Sequence, residues 1–284
     1  MGLFKYDIEK YSPKQLVIIP LVLLVISIVL LSLNMINTGM PVTPGIDFSG
    51  GTAVTVITPD TREQIQSTFS GYPLIDISEG VNNGKFLKFS SMDDVKFRSL
   101  SSLISQKYPD AKIDQIGESF GKTLQYQAVL ALIFSFVGMA IVIFLAFRTF
   151  VPAVAVILSA FADMVMTAAT MNIVGIPLSL GTVAALLMLI GYSVDSDILL
   201  TNRVLKRQGK LNEKLSGAFT TGIIMTSTTL AATAALFIVS WFGSVQILME
   251  ISAVLLIGLV FDIMNTWLTN VGILKWYVLK GGSK

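Results

Sequence analysis

Neither cysteine nor histidine occurs among the 284 residues. The first absence excludes disulfides, thiolate nucleophiles and cysteine-ligated metals, and leaves the redox compartment open. The second removes the one side chain whose unperturbed pKa lies near neutrality, and any histidine-ligated metal with it. Proton chemistry in this chain falls to carboxylates. Charge is also scarce: Asp, Glu, Lys and Arg make up 13% of the residues, and a net charge of +2 gives no global attraction to nucleic acid. Hydrophobic residues supply 53%, which puts the chain in the membrane class before any motif is considered.

The apolar residues fall into long runs. After a polar stretch over residues 1–14, residues 15–36 are almost continuously apolar. That run is too long for a signal peptide and no small-residue cleavage site follows it, so it is expected to be the first membrane helix. Five more spans are expected at 124–147, 152–173, 178–200, 215–240 and 247–272, all within residues 124–273, with a short tail at 274–284. Basic residues mark one side. Lys5, Lys10 and Lys14 precede the first span, and Arg148 sits between the second and third. Arg203, Lys206, Arg207, Lys210 and Lys214 lie between the fourth and fifth, and Lys275, Lys280 and Lys284 follow the last. The loops 172–177 and 241–246 carry none. By the positive-inside rule both termini are cytoplasmic, and the segment 37–123 lies on the other side of a cytoplasmic membrane crossed six times.

Residues 37–123 are of different composition, and no part of them can span. Thr52–Thr58 alternates as a strand, 61–69 reads as a helix with Asp60 as N-cap, and 74–78 is a second strand. Asn82-Asn83-Gly84 signals a hairpin leading to a strand over 85–89. Ser91 to Asp94 resembles a capping box, with Asp in the place of Glu, for a helix reaching Tyr108. A last strand covers 111–116. The order βαββαβ predicts an inserted, extracytoplasmic α+β domain of ferredoxin-like type.

Five ionisable residues are expected inside the membrane: Asp163, Asp195, Asp197, Glu250 and Asp262. An intramembrane carboxylate is costly and is a functional candidate by default. Asp195 and Asp197 point about 200° apart on a helix, so they cannot serve the same neighbour. Asp197 shares a stripe with Ser193 and Thr201. Asp195 is the deeper of the two, and Asp197 lies about two residues nearer the cytoplasm, where simple solvation is an alternative to a functional role. Asp262, with Asn265, Thr266 and Thr269 one to two turns on, reads as a polar seam between helices. Thr226 and Ser227, in the hydroxyl-rich fifth span, read as close helix packing. Glycines at 50 and 51 permit a turn into the first strand. No nucleophile–base constellation, metal-ligand cluster, nucleotide motif or cofactor site is present in the pattern, and a non-enzymatic role is expected.

Gly45-Ile-Asp-Phe-Ser-Gly-Gly-Thr52 follows the first span. Asp163, Pro177-Leu-Ser-Leu, Ala184-Ala-Leu-Leu and Ile190-Gly-Tyr-Ser-Val-Asp-Ser-Asp197 recur through spans three and four, ending at Arg203. These motifs, with the six-span plan, resemble the SecF family over essentially the whole chain, in its archaeal rather than bacterial form. The resemblance implies one half of a twelve-helix bundle of the resistance-nodulation-division superfamily. It also implies an accessory role in protein export with a SecD-like subunit, driven by the proton motive force. The partners implied are that subunit, a SecY-type channel, the translocating polypeptide and membrane lipid, with no nucleic acid. Gly45, Asp47, Phe48, Gly50 and Gly51 carry the family motif of the outer domain, and Asp163, Asp195 and Asp197 are the proton-coupling candidates. SecD-type sequences place their aspartate at Asp195, which favours it. The bacterial SecF aspartate falls at Ser196, so both neighbours stay candidates. The arginine that bacterial relatives carry near the start of span five is absent from Thr221–Ser227. A passive, partner-stabilising subunit and half of a small-molecule exporter are the other readings.

Overall fold

A computed structural model describes residues 10–281; Lys5 and Lys284, used in the charge argument, lie outside the described residues. The first helix, α1 (Pro13–Thr38), opens with a capping box between Ser12 and Gln15 and ends at Gly39, whose φ is +79°. A single helical turn, α2 (Ile46–Ser49), leads into the inserted domain. There follow β1 (Gly51–Ile57), α3 (Arg62–Thr68), β2 (Leu74–Glu79), β3 (Gly84–Phe89), α4 (Asp94–Lys107) and β4 (Lys112–Ile116). The strands form one antiparallel sheet in the order β2-β3-β1-β4. Val54 and Val56 of β1 and Leu87 and Phe89 of β3 are buried with Ile65, Phe69, Leu100 and Ile104 of the two helices. Asn82 and Asn83 both take positive φ in the β2–β3 turn, as the hairpin signal requires.

Two caps differ from expectation. Thr61, not Asp60, caps α3: its hydroxyl accepts the Gln64 amide, and the Gln64 side chain accepts the Thr61 amide. Asp60 is drawn off by tertiary partners, accepting the Tyr108 hydroxyl at 2.6 Å and lying 3.2 Å from Lys107 Nζ. Asp93, rather than Ser91, caps α4 by accepting the Lys96 amide. In both places the group nearest the first helical turn takes the amide.

The remaining helices are α5 (Glu118–Phe147), α6 (Phe150–Val174), α7 (Leu180–Lys206), α8 (Leu211–Phe242), α9 (Gln246–Met264) and α10 (Val271–Leu279). The last two are fused through a π-helical turn over Asn265–Asn270. Among the described residues, six helical segments of 25 to 34 residues are apolar enough to cross a membrane. The shortest rises about 37 Å, more than a hydrocarbon core of about 30 Å. They overrun the expected spans at most ends, because helix continues into polar residues that hydropathy excludes.

Helices α6 and α7 are the most buried of the bundle. Three layers succeed one another along them. Near the α7 start, Leu186 and Leu189 pack with Met171, Val254 and Leu255. Near its end, Leu200 and Val204 pack with Trp267, Val271 and Leu274. Between these apolar layers lies a polar one.

Candidate functional site

The polar layer is built from α6, α7 and the fused α9–α10 helix. Asp163 of α6 accepts the Ser193 hydroxyl at 2.5 Å through Oδ2 and the Asn265 amide at 2.7 Å through Oδ1. Thr269 donates to the Asn265 carbonyl at 3.1 Å, which orients that amide toward the carboxylate. Asp197 of α7 accepts Thr266 at 2.9 Å and Asn270 at 2.7 Å, both through Oδ1. Thr266 Oγ1 also stands 3.2 Å from Asp262 Oδ1. Asp163 and Asp197 are 0% exposed and Asp262 1%.

The π turn makes this convergence possible. On an α-helix, residues five apart lie about 140° apart. The i→i+5 pattern of a π turn brings Asn265 and Asn270 toward one face, and such turns concentrate at functional sites. Both amides then reach carboxylates, one on α6 and one on α7.

Three features of the layer matter chemically. The four ion pairs among the described residues, Arg62–Asp76, Lys85–Glu79, Lys107–Asp60 and Lys122–Glu118, all lie elsewhere, so no basic side chain pairs with the three carboxylates. The Thr266 hydroxyl has one proton to share between Asp197 and Asp262. Both contacts are hydrogen bonds only when a carboxyl group supplies a second proton. Thr201 Oγ1 and Asn270 Oδ1 are also buried, with no hydrogen-bond partner among the described residues. The arrangement can hold protons and pass them between neighbouring oxygens. Among the described residues, no group of three or more acidic side chains has a metal-binding arrangement.

The two neighbouring aspartates lie in different environments. Asp197 is the buried one. Asp195 is exposed on the far side of α7, bordering a cleft of about 510 Å³ with Asn202, Arg203, Arg207 and Met225. The 200° separation holds; what turns Asp197 inward is the packing of α6 and α9 against its stripe with Ser193 and Thr201. Arg203 pairs with neither aspartate and donates to Thr221 at 2.7 Å. The seam expected around Asp262 and Asn265 is buried as described. In the fifth span Thr226 is buried but Ser227 is exposed, so only the first packs within this chain. Sequence reasoning missed Ser159 and Asn270. On an α-helix Asn270 lies about 80° from Asp262 and about 140° from Asn265, so regular periodicity gave no signal for it; the π turn brings it in.

The Gly45–Thr52 motif lies at the junction of bundle and inserted domain. Gly45 N donates to Leu178 O at 2.7 Å, and Asp47 Oδ2 accepts the Leu180 amide at 2.8 Å, at the start of α7. A carboxylate there satisfies a free amide and suits the helix dipole. Phe48 is buried between α5 and α7 residues. Gly50 and Gly51 have φ of +74° and +141°; a Cβ at Gly50 would stand 2.8 Å from Glu118 Cα, and one at Gly51 2.5 Å from Phe89 O. The opposite end of the domain is tied to the α8–α9 loop, where Ser244 Oγ donates to Val81 O at 3.0 Å and Asn82 Nδ2 to Phe242 O at 3.3 Å.

A multi-pass helical membrane protein with a small antiparallel α/β domain inserted after its first span, and a carboxylate layer in its bundle, is the class that fold and site define. The family described as "Protein export membrane protein SecD/SecF, C-terminal" matches residues 96–280. The chain is 59% identical to the protein-export membrane protein SecF of Methanolacinia petrolearia over 282 residues, covering 99% of this chain and all of that one. It is 39% identical to the SecF protein of Haloferax volcanii, covering 97% and 96% respectively. The crystal structure of SecDF, a translocon-associated membrane protein from Thermus thermophilus, shares its fold with a TM-score of 0.73 at 21% identity. That match covers 94% of this chain and 38% of the longer one. This chain belongs to the SecF family of protein-export membrane proteins.

Proposed function

We propose that the chain is an accessory subunit of the Sec export machinery that works with a SecD-like subunit and uses an ion gradient, most simply the proton motive force, through its buried carboxylate layer. The observation that carries the coupling is the polar layer itself: three buried carboxylates, Asp197 and Asp262 sharing the Thr266 hydroxyl and Asp163 held by Ser193 and Asn265, with no basic side chain paired to them among the described residues. Ionised carboxylates stripped of water are costly, so a proton or another monovalent cation has a place there, and its arrival or departure changes the hydrogen bonds between α6, α7 and α9. The longer SecDF chain, of which this one covers 38%, supports a partner that supplies the rest of the bundle.

The loop charges support cytoplasmic termini and an inserted domain on the outer side. The strand order β2-β3-β1-β4 with helices between β1 and β2 and between β3 and β4 supports a ferredoxin-like, split-βαβ domain. In that position the domain faces a SecY-type channel and the emerging polypeptide. A second reading, a passive subunit that stabilises its partner, is favoured by the absence of an arginine from Thr221–Ser227. The deciding experiment is export into membrane vesicles with an imposed ion gradient. Asp197→Asn and Asp163→Asn are expected to abolish gradient-stimulated export while the complex with the SecD-like subunit still assembles. Wild-type stimulation in both variants would leave the passive reading.

A further inference from the structure

The buried polar groups on the two sides of the carboxylate layer are used differently. Toward the inserted domain, Thr167 of α6 and Ser252 of α9 are 0% exposed, and each donates to a carbonyl of its own helix, at 2.6 and 2.7 Å. Thr182 is spent on the cap of α7 and on Pro177 O. The packing between them is apolar. Leu186 and Leu189 meet Met171, Val254 and Leu255, and Leu189 lies on Gly258 with no room for a Cβ there.

Toward the basic loop between α7 and α8 the pattern reverses. Thr201, one turn beyond Asp197, is 0% exposed, and its hydroxyl has no partner among the described residues. Asn270 holds Asp197 through its amide at 2.7 Å, while its own side-chain oxygen is buried and equally unpartnered. Asn212, at the start of α8, buries a third such oxygen. Lys214 reaches in from α8 and donates to Val204 O at 3.1 Å, which leaves two ammonium protons over. Asp197, Thr201 and Val204 succeed one another at i, i+4 and i+7 on one face of α7, a rise of about 10 Å. Buried groups with spare hydrogen-bonding capacity hold water, because a buried water needs about two to four polar partners. The apolar packing on the other side offers it none.

We propose that the carboxylate layer exchanges its proton with the basic-loop side, along a file of bound water running from Asp197 past Thr201 and Asn270 to Asn212 and Lys214. Leu189 against Gly258 is the seal on the opposite side. The proposal rests on the coupling reading above and adds the side from which the layer is loaded in this conformation. The step balances. The Asp197 carboxyl gives its proton to the first water, that water passes one of its own to the next, and the last releases one to bulk solvent, leaving Asp197 ionised. Thr201, with one proton to give and lone pairs to accept, carries the file past the turn. Loading runs the same transfers in reverse.

The absence of cysteine makes the test direct. Thr201→Cys, Leu189→Cys and, in the exposed basic loop, Lys210→Cys are each placed in the full chain, co-expressed with the SecD-like subunit and sealed into vesicles. Silver ion in chloride-free buffer, a water-borne probe small enough for such a file, is added from one side or the other. A thiol that silver has occupied no longer takes a maleimide after denaturation. Lys210→Cys identifies the basic-loop side. Thr201→Cys is expected to be protected from that side and not from the opposite one, and Leu189→Cys from neither. Thr201→Val is expected to lower gradient-stimulated export about tenfold, the loss of one hydrogen-bonded link, and Thr201→Ser to retain most of it. Protection of Thr201→Cys from neither side, or of Leu189→Cys from the far side, overturns the proposal. So does equal export by Thr201→Val and Thr201→Ser. Loss of export in Asp197→Asn then leaves the coupling reading standing. Wild-type export in Asp197→Asn removes the coupling reading, while side-specific protection of Thr201→Cys still establishes the water file.

Discussion

Asp195 and Asp197 stand two residues apart on α7 and face opposite environments. Asp197 is fully buried and accepts Thr266 and Asn270, while Asp195 is exposed and lines a surface cleft. One helix thereby offers a carboxylate to its own bundle and another to its surroundings. The same helix begins at the Asp47 contact, so α7 runs from the inserted domain through the polar layer to the basic loop.

The polar layer is a structural element as well as a candidate coupling site. Asp163→Leu leaves the Ser193 hydroxyl and the Asn265 amide without their acceptor, at about 1–3 kcal/mol for each stranded group. A clear fall in the thermal midpoint of the purified complex is expected. Asp163→Asn keeps an acceptor oxygen and should lose distinctly less. Equal melting of both variants would mean that the layer has other partners for Ser193 and Asn265.

The junction motif predicts a sharp difference between two glycines of one domain. Gly51 has a φ of +141°, and an added methyl would meet Phe89 O at 2.5 Å; Gly71 has nothing within 4 Å of its Cβ position. Gly51→Ala is expected to destabilise the inserted domain by more than about 1 kcal/mol, with Gly71→Ala close to neutral. Asp47→Ala removes the cap on Leu180 and is expected to cost about 1 kcal/mol, read as faster proteolysis at the junction. Identical protease sensitivity of Gly51→Ala and wild type would contradict the steric account.

Acid sensitivity of the inserted domain follows from Asp60. The Tyr108 hydroxyl, then the Lys107 ammonium, hold its carboxyl below the ordinary carboxylate range. A folded-state pKa below the unfolded one contributes stability that is present above the unfolded value, about 3.9, and is lost as pH falls through the folded value. Tyr108→Phe removes the larger cause, so this loss should be smaller and be complete at a higher pH than in wild type. Midpoints of thermal unfolding between neutral pH and the acid limit check this. Parallel wild-type and Tyr108→Phe profiles would remove Asp60 as the source.

Much of the architecture was legible from local pattern. A run of apolar residues long enough to cross a bilayer needs no partner to be recognised, because lipid itself imposes length and composition. The Asn82-Asn83-Gly84 turn was legible for a similar reason, since few residues accept positive φ. Helix starts were less so: Asp60 and Thr61 are both good caps, and the choice fell to the distant Tyr108 and Lys107, which occupy Asp60.

Composition and spacing by themselves determined six helices long and apolar enough to cross a membrane among the described residues, an inserted βαββαβ domain, and that Asp195 and Asp197 point apart. All three follow from rules that act within a few residues: hydrocarbon thickness, strand alternation and about 100° per helical residue. Only the tertiary structure decided which aspartate is inside. It likewise chose the oxygens Asn265 and Asn270 bind, through a π turn that no local preference specifies. Helical periodicity defines a face but not its neighbour, and the neighbours of α7 come from α6 and α9, brought together by packing across the chain.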